Sequence, residues 1–190
     1  MDEAHFDINM DNHMTLGFRG DKVVRYHDVV SGGEGMTLVL KIRGGPSARI
    51  EPAMMNFQNQ NRSYPIQNVP DDVPSVTFRS SPKGWMVQRV FIAWLKDNTC
   101  NRPDPHNKRQ VVYMDNASGH KVEECEEFLK PKNMRVKFLP PNSSHLYQPA
   151  DSFIIKAIKD MWTSEWDKEK LRLAQEQCFS AGKSKKKASA

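Results

Sequence analysis

The order of apolar patterns along the chain predicts an α/β fold, a mixed β-sheet flanked by helices. Three observations carry that reading. Met36 to Ile42, MTLVLKI, is rich in β-branched and long apolar residues and sits between Gly32, Gly33, Gly35, Gly44 and Gly45, a strand inside Gly-rich turns. After Gly84 the apolar period changes, with Trp85, Val90, Phe91, Trp94 and Leu95 recurring at helical spacing up to about Lys96. From Val111 onward, short apolar runs alternate with helical stretches. Hairpin strands followed by strand–helix–strand–helix is the arrangement of a mixed sheet packed against helices.

The elements follow in order. Ile50 to Phe57 is the expected antiparallel partner of the first glycine-bracketed strand. Gln58 to Pro82 contains Pro65, Pro70, Pro74 and Pro82, so it is read as an irregular crossing with one short strand near Val76 to Phe78. NTCNRPDPHNK is a loop. A strand at Val111–Met114, a helix over about Val122–Leu129 and a strand at Met134–Leu139 come next. PPNSSHLYQP is a stiff loop, and Pro149 suits the first turn of a final helix. That helix carries Phe153, Ile154, Ile155, Ile158, Met161, Trp162 and Trp166 and is expected to reach about Gln177. Residues 1–178 form one expected domain, and 179–190 a disordered basic tail.

Bulk composition narrows the classes. A chain of 190 residues with 38% hydrophobic and 27% charged residues is ordinary for a folded domain. The formal charge is +5, but Lys183, Lys185, Lys186 and Lys187 supply four of those charges, so the remainder is nearly neutral. A polyanion partner is therefore signalled only through the tail. Cys100, Cys125 and Cys178 are odd in number and fit no CxxC spacing, which reads as reduced intracellular thiols and no zinc site. No apolar run approaches the roughly 18 residues of a membrane span. MDEAHFDINMDN is acidic and without an apolar core, unlike a signal peptide.

The chemistry concentrates in RQVVYMDNASGH, Arg109 to His120. A buried strand that ends in a carboxylate is costly unless something pairs with the acid. Asp115 leaves the C-terminal end of that strand, where open α/β sheets place ligands. Asp151, in YQPAD, falls in the first turn of the last helix. One strand and one loop separate the two acids, so they can converge on one sheet edge. Converging carboxylates suit Mg²⁺, and two such ions clamp the attacking and leaving oxygens of a phosphodiester. The bland alternative is that both acids only cap turns or helix ends.

VVYMDNASGHKVEE, NMRVKFLPPNSSHLYQPAD and IIKAIKD together resemble the DDE superfamily endonuclease domain of pogo- and jerky-type transposases. The resemblance, over nearly the whole chain from residue 2 to about 160, implies an RNase H-like fold and two-metal cutting and joining of DNA. Asp115 matches the second catalytic acid and Asp151 the third. The first acid sits in a motif resembling DET, which MDEAHF alone matches, so Asp2 is the candidate, Glu3 its neighbour, and Asp7 and Asp11 its rivals. The family also carries a central strand just upstream of that acid and helix-turn-helix modules before it. By that comparison the chain is an N-terminally truncated domain with its first strand missing. Asp2 would then lie at a frayed terminus, where a metal site is poorly held.

Asn116 is a candidate to orient Asp115 or touch a metal-bound water, or else a turn residue. His120 either faces the site or caps a surface turn, and His145 is a candidate phosphate contact. The four tryptophans are expected in the core rather than as base-stacking platforms. Lys156 and Lys159, one turn apart, could meet DNA backbone or simply water. The implied function is a transposase-derived endonuclease using two Mg²⁺ or Mn²⁺ ions on DNA in the nucleus, with KSKKK as a localisation patch. The rival reading is a non-catalytic nucleic-acid-binding protein. A homo-oligomer is left open, and a membrane partner is not expected.

Overall fold

The computed structural model describes residues 1–7, 35–60, 73–120, 125–141 and 150–175, with the side chains of 118, 151, 152, 170 and 173–175 outside that description. Strands β1 (Asp2–Asp7), β2 (Gly35–Leu40), β5 (Ala53–Gln58) and β6 (Val76–Ser81) form a four-stranded sheet in the order β1-β2-β5-β6. β1 runs antiparallel to β2 from Asp2↔Leu40 to Asp7↔Gly35. β2 is antiparallel to β5, and β5 is parallel to β6. The expected pairing of the first two apolar runs is therefore present. Between them the chain makes a small hairpin, β3 (Ile42–Arg43) with β4 (Arg49–Ile50). A second sheet holds β7 (Gln110–Met114) parallel to β8 (Met134–Phe138), joined through α2 (Cys125–Leu129).

Helix α1 (Gln88–Lys96) binds the two sheets together. Its Val90, Phe91, Trp94 and Leu95 are fully buried against Val39 and Met54 of the first sheet and Val112, Met114 and Met134 of the second. The other face of the first sheet packs Ala4, Phe6, Met36 and Leu40 against Ala150 and Ile155. These belong to the last helix, which opens with one π-turn (Ala150–Ile154) and continues as α3 (Ile155–Gln175). Trp162 meets Phe6 edge-on at 6.2 Å, and Lys159 lies 5.6 Å above the same ring. Lys159 therefore spends part of its length on the core, as long basic side chains do.

Side chains alternate across a strand, so β1 serves both layers. Glu3, paired with Val39, faces α1, whereas Asp2, Ala4 and Phe6 share the α3 face. The expectation of a frayed Asp2 fails for that reason. The residue is 8% exposed and laddered to Leu40, and the Met1 ammonium before it donates 2.7 Å to the Tyr113 carbonyl.

Trp85 departs from the reading of the sequence. It precedes α1, is 61% exposed, and meets the His5 ring edge-on at 6.0 Å. Helical spacing assigned it to the core. The chain instead turns at Gly84, whose φ of +71° suits glycine and where a Cβ would stand 2.5 Å from the Gly35 carbonyl oxygen. Helix α1 starts only at Gln88.

Its far end is held from outside the helix. Lys132 follows α2 in a short 3₁₀ turn and donates to the carbonyls of Leu95, Lys96 and Asp97 at 3.0, 3.1 and 3.2 Å. A cation there also answers the negative end of the helix dipole. Cys100 and Cys125 are buried free thiols, and burial pushes Cys100 up to about 11. No helix among the described residues is long and apolar enough to cross a membrane.

Candidate active site at the β1–β7 edge

β7 is half-buried, with Val112 and Met114 in the core and Tyr113 exposed, and Asp115 is the first residue beyond it. The Ala117 N–H donates 3.4 Å to Asp115 Oδ1, and a 3₁₀ turn over Ser118–His120 follows, closed by His120 N to the Ala117 carbonyl at 3.0 Å. That turn fits tightly: a Cβ on Gly119 would stand 3.1 Å from the Met86 carbonyl oxygen. It drives the His120 ring under α1, 1% exposed and 4.9 Å from the Phe91 ring.

There the imidazole joins two carboxylates. Nδ1 lies 2.6 Å from Asp115 Oδ1, and Nε2 lies 3.6 Å from Glu3 Oε1. Neither ring N–H is aligned on its carboxylate well enough for a hydrogen bond, so the contacts are chiefly electrostatic. Burial alone would lower the pKa of this ring. Asp115 and Glu3 outweigh burial and raise it to about 9. The same contact holds the Asp115 carboxyl below its ordinary value. His120 is thus a buried imidazolium at neutral pH, facing the acid rather than solvent.

Asp2 approaches from the neighbouring strand. Its Oδ1 accepts from the Glu3 N–H at 2.9 Å. The Met1 ammonium stands within electrostatic reach of both Asp2 and Asp115, and burial foremost lowers its pKa to about 6. Two of the three acids named from sequence therefore come to the junction of β1 and β7, where Met1 N meets the Tyr113 carbonyl. Asp151 lies in the π-turn beside Ala150, which is 3% exposed and packs with Leu40 on the Asp2 face of the sheet. Its side chain and His145 lie outside the described residues. Asn116 is exposed, and the described contacts on Asp115 come from His120 and Ala117.

Two participants escaped the sequence reading. Glu3 was named only as a neighbour of Asp2, yet strand alternation sends it to the opposite face and onto His120. The Met1 amine had no signal at all, because its partner is 112 residues away.

The chain matches the family model for the DDE superfamily endonuclease over residues 48–187. It belongs to the DDE superfamily endonuclease family. No curated protein matches the chain, and neither does any solved structure. The matched span includes Asp115 and Asp151 and begins after Asp2. The mixed sheet with flanking helices is consistent with the RNase H-like fold of DDE endonucleases. Their metals are hard cations, and the oxygen donors here are of the right kind. Among the described residues, however, no three carboxylate, histidine or cysteine side chains converge on one point. Of the three acids named from sequence, Asp2 and Asp115 are the two whose side chains the structure describes.

Proposed function

We propose that this DDE endonuclease domain is the catalytic part of a pogo- or jerky-type transposase that cleaves and joins DNA in the nucleus. Asp2, Asp115 and Asp151 would hold two Mg²⁺ or Mn²⁺ ions. Bound there, the metals would activate water or a DNA 3′-hydroxyl and stabilise the leaving oxygen. The observation that carries the reading is the shared edge, where Met1, next to Asp2 at the start of β1, bonds the carbonyl of Tyr113 on β7, two residues before Asp115. His120 acts through Asp115, keeping its carboxylate ionised and turned toward that edge.

A second reading, a DNA-binding domain without catalysis, is favoured by a specific observation. His120 Nδ1 already lies 2.6 Å from Asp115 Oδ1 and competes with a metal for that oxygen.

Calorimetric titration of the chain with Mn²⁺, beside Asp115→Asn, separates the two. Saturable binding that Asp115→Asn weakens tenfold or more supports the metal site, and nicking of supercoiled DNA in the same buffer supports catalysis. Equal, weak binding by both proteins removes the catalytic reading. DNA affinity that survives it, falling steeply with salt, leaves the binding reading.

A further inference from the structure

Trp85 is a large apolar ring held in water by a built anchor. Its carbonyl accepts from Asn56 Nδ2 at 3.0 Å and from Ser81 Oγ at 2.9 Å, and Asn56 Nδ2 also donates to Ser81 Oγ at 2.9 Å. Asn56 and Ser81 are both fully buried. Just before the tryptophan, Gly84 makes its turn against the Gly35 carbonyl. The backbone is thus fixed from both directions while the indole stays 61% exposed. A ring of that size gains most by being covered, so an anchor that keeps it uncovered leaves a face for a ligand.

Its position ties it to the candidate site. Met86, the next residue, offers the carbonyl against which the Asp115–His120 turn packs at Gly119. The His5 ring, edge-on to the indole at 6.0 Å, leaves β1 on the same side as Glu3, two residues or about 6.8 Å along the strand. Glu3 in turn reaches His120, which holds Asp115. The indole therefore stands on the order of 13 Å from the Glu3 side chain. That is about four nucleotide steps of ~3.4 Å each.

Charge decides what kind of ligand fits. From Val73 to Lys96 the chain carries Arg79, Lys83, Arg89 and Lys96 and no Asp or Glu. Arg79 is paired with Asp97, and Lys96 lies over the Phe128 ring. Lys83, before Trp85, and Arg89, after it, are exposed. Arg89 also donates to the Ser80 carbonyl, which holds its guanidinium against the same turn. An aromatic face between two cations suits a nucleotide, with the base on the ring and the phosphates on the cations, whereas an apolar peptide would leave both cations unused. We propose that Trp85 is a stacking platform for an unpaired base of the DNA strand that enters the β1–β7 edge, with Lys83 and Arg89 on the adjoining phosphates. The proposal deepens the functional reading above and rests on it, since it takes DNA as the substrate. Every base has a π-face, so the platform selects frayed, tailed or flipped-out DNA over closed duplex rather than one base over another.

The test titrates the full chain, without added metal, with a short blunt DNA duplex and with the same duplex bearing an unpaired tail that carries 2-aminopurine. The parent should prefer the tailed duplex roughly tenfold, and stacking on the indole should quench the 2-aminopurine fluorescence. Trp85→Ala should erase both the preference and the quenching, Trp85→Phe should keep most of each, and Lys83→Glu should weaken tail binding severalfold. A preference or quenching that survives in Trp85→Ala would overturn the platform. So would self-association of the parent that Trp85→Ala abolishes, which would assign the ring to a second copy. Nicking with Mn²⁺ is read separately. Its absence beside an intact tail preference removes the cleavage and keeps the platform, and a missing preference beside intact nicking removes the platform alone. Failure to bind either duplex removes the DNA reading and the platform together.

Discussion

Replacing Lys132 by Met tests whether a single buried ammonium holds α1 against both sheets. The side chain keeps its length and loses three donated hydrogen bonds, to Leu95, Lys96 and Asp97. A hydrogen bond to a charged group contributes about 1.5–3 kcal/mol, but the three share one ammonium and do not add. The favourable placement at a helix C-terminus contributes up to ~2 kcal/mol when partly buried. Against these stands the cost of burying the ammonium, which holds the lysine below its ordinary pKa and which Met would not incur. The balance is a loss of about 2–3 kcal/mol. At about 2–4 °C per kcal/mol for a domain of this size, Tm should fall roughly 5–10 °C. Urea unfolding and a thermal melt of Lys132→Met, with Lys130→Met as the exposed comparison, measure it. A Lys132→Met midpoint within ~0.5 kcal/mol of the parent would refute the capping argument.

Three further outcomes follow from the same geometry. Lys41 is buried with its Nζ 3.0 Å from Asn101 Oδ1, and burial lowers its pKa to about 8 from 10.5. The unfolded chain then binds more protons between pH ~8 and ~10.5, so stability should rise by up to about 3 kcal/mol across that window. Lys41→Met should flatten the rise, as urea midpoints at the two ends of the window would show. Phe91→Ala empties the centre of the core and contacts the His120 ring, so it should cost about 3–5 kcal/mol in chemical denaturation. Gly84→Ala meets both a positive φ and the Gly35 carbonyl, so it should cost more than ~1 kcal/mol, read as a drop in Tm.

Local periodicity reported the local structure well. The runs at Met36–Ile42, Ile50–Phe57, Val76–Phe78, Val111–Met114 and Met134–Leu139 each lie on a strand to within a few residues, because apolar alternation and glycine brackets act over short distances. Trp85 shows where the method breaks. An apolar residue one turn before a helix fits the period, yet Gly84 ends the regular backbone ahead of it. The candidate site was legible in part. Asp115 stood out as a carboxylate after an apolar strand, and its burial demanded a partner. That partner, His120, was visible only as one of two alternatives, because the 3₁₀ turn that buries it depends on Gly119 fitting beside Met86. Glu3 beside His120, and Arg43 bridging Glu51 and Asp104, join residues far apart in the chain, and no local pattern announces such pairs.

The Met1–Tyr113 bond also bears on the order in which the molecule can assemble. β7 and β8 meet across 24 residues, from Gln110 to Met134, whereas Met1 and Tyr113 are 112 residues apart. Closing the longer loop costs about 1.4 kcal/mol more in chain entropy, roughly a factor of ten in equilibrium. The β7–α2–β8 unit can therefore form early from nearby parts, and β1 docks onto it late. A refolding chain would therefore hold Asp115 beside β8 before the β1–β2 pair brings Asp2 to it. Any activity that needs both acids would switch on only with the last long-range contact.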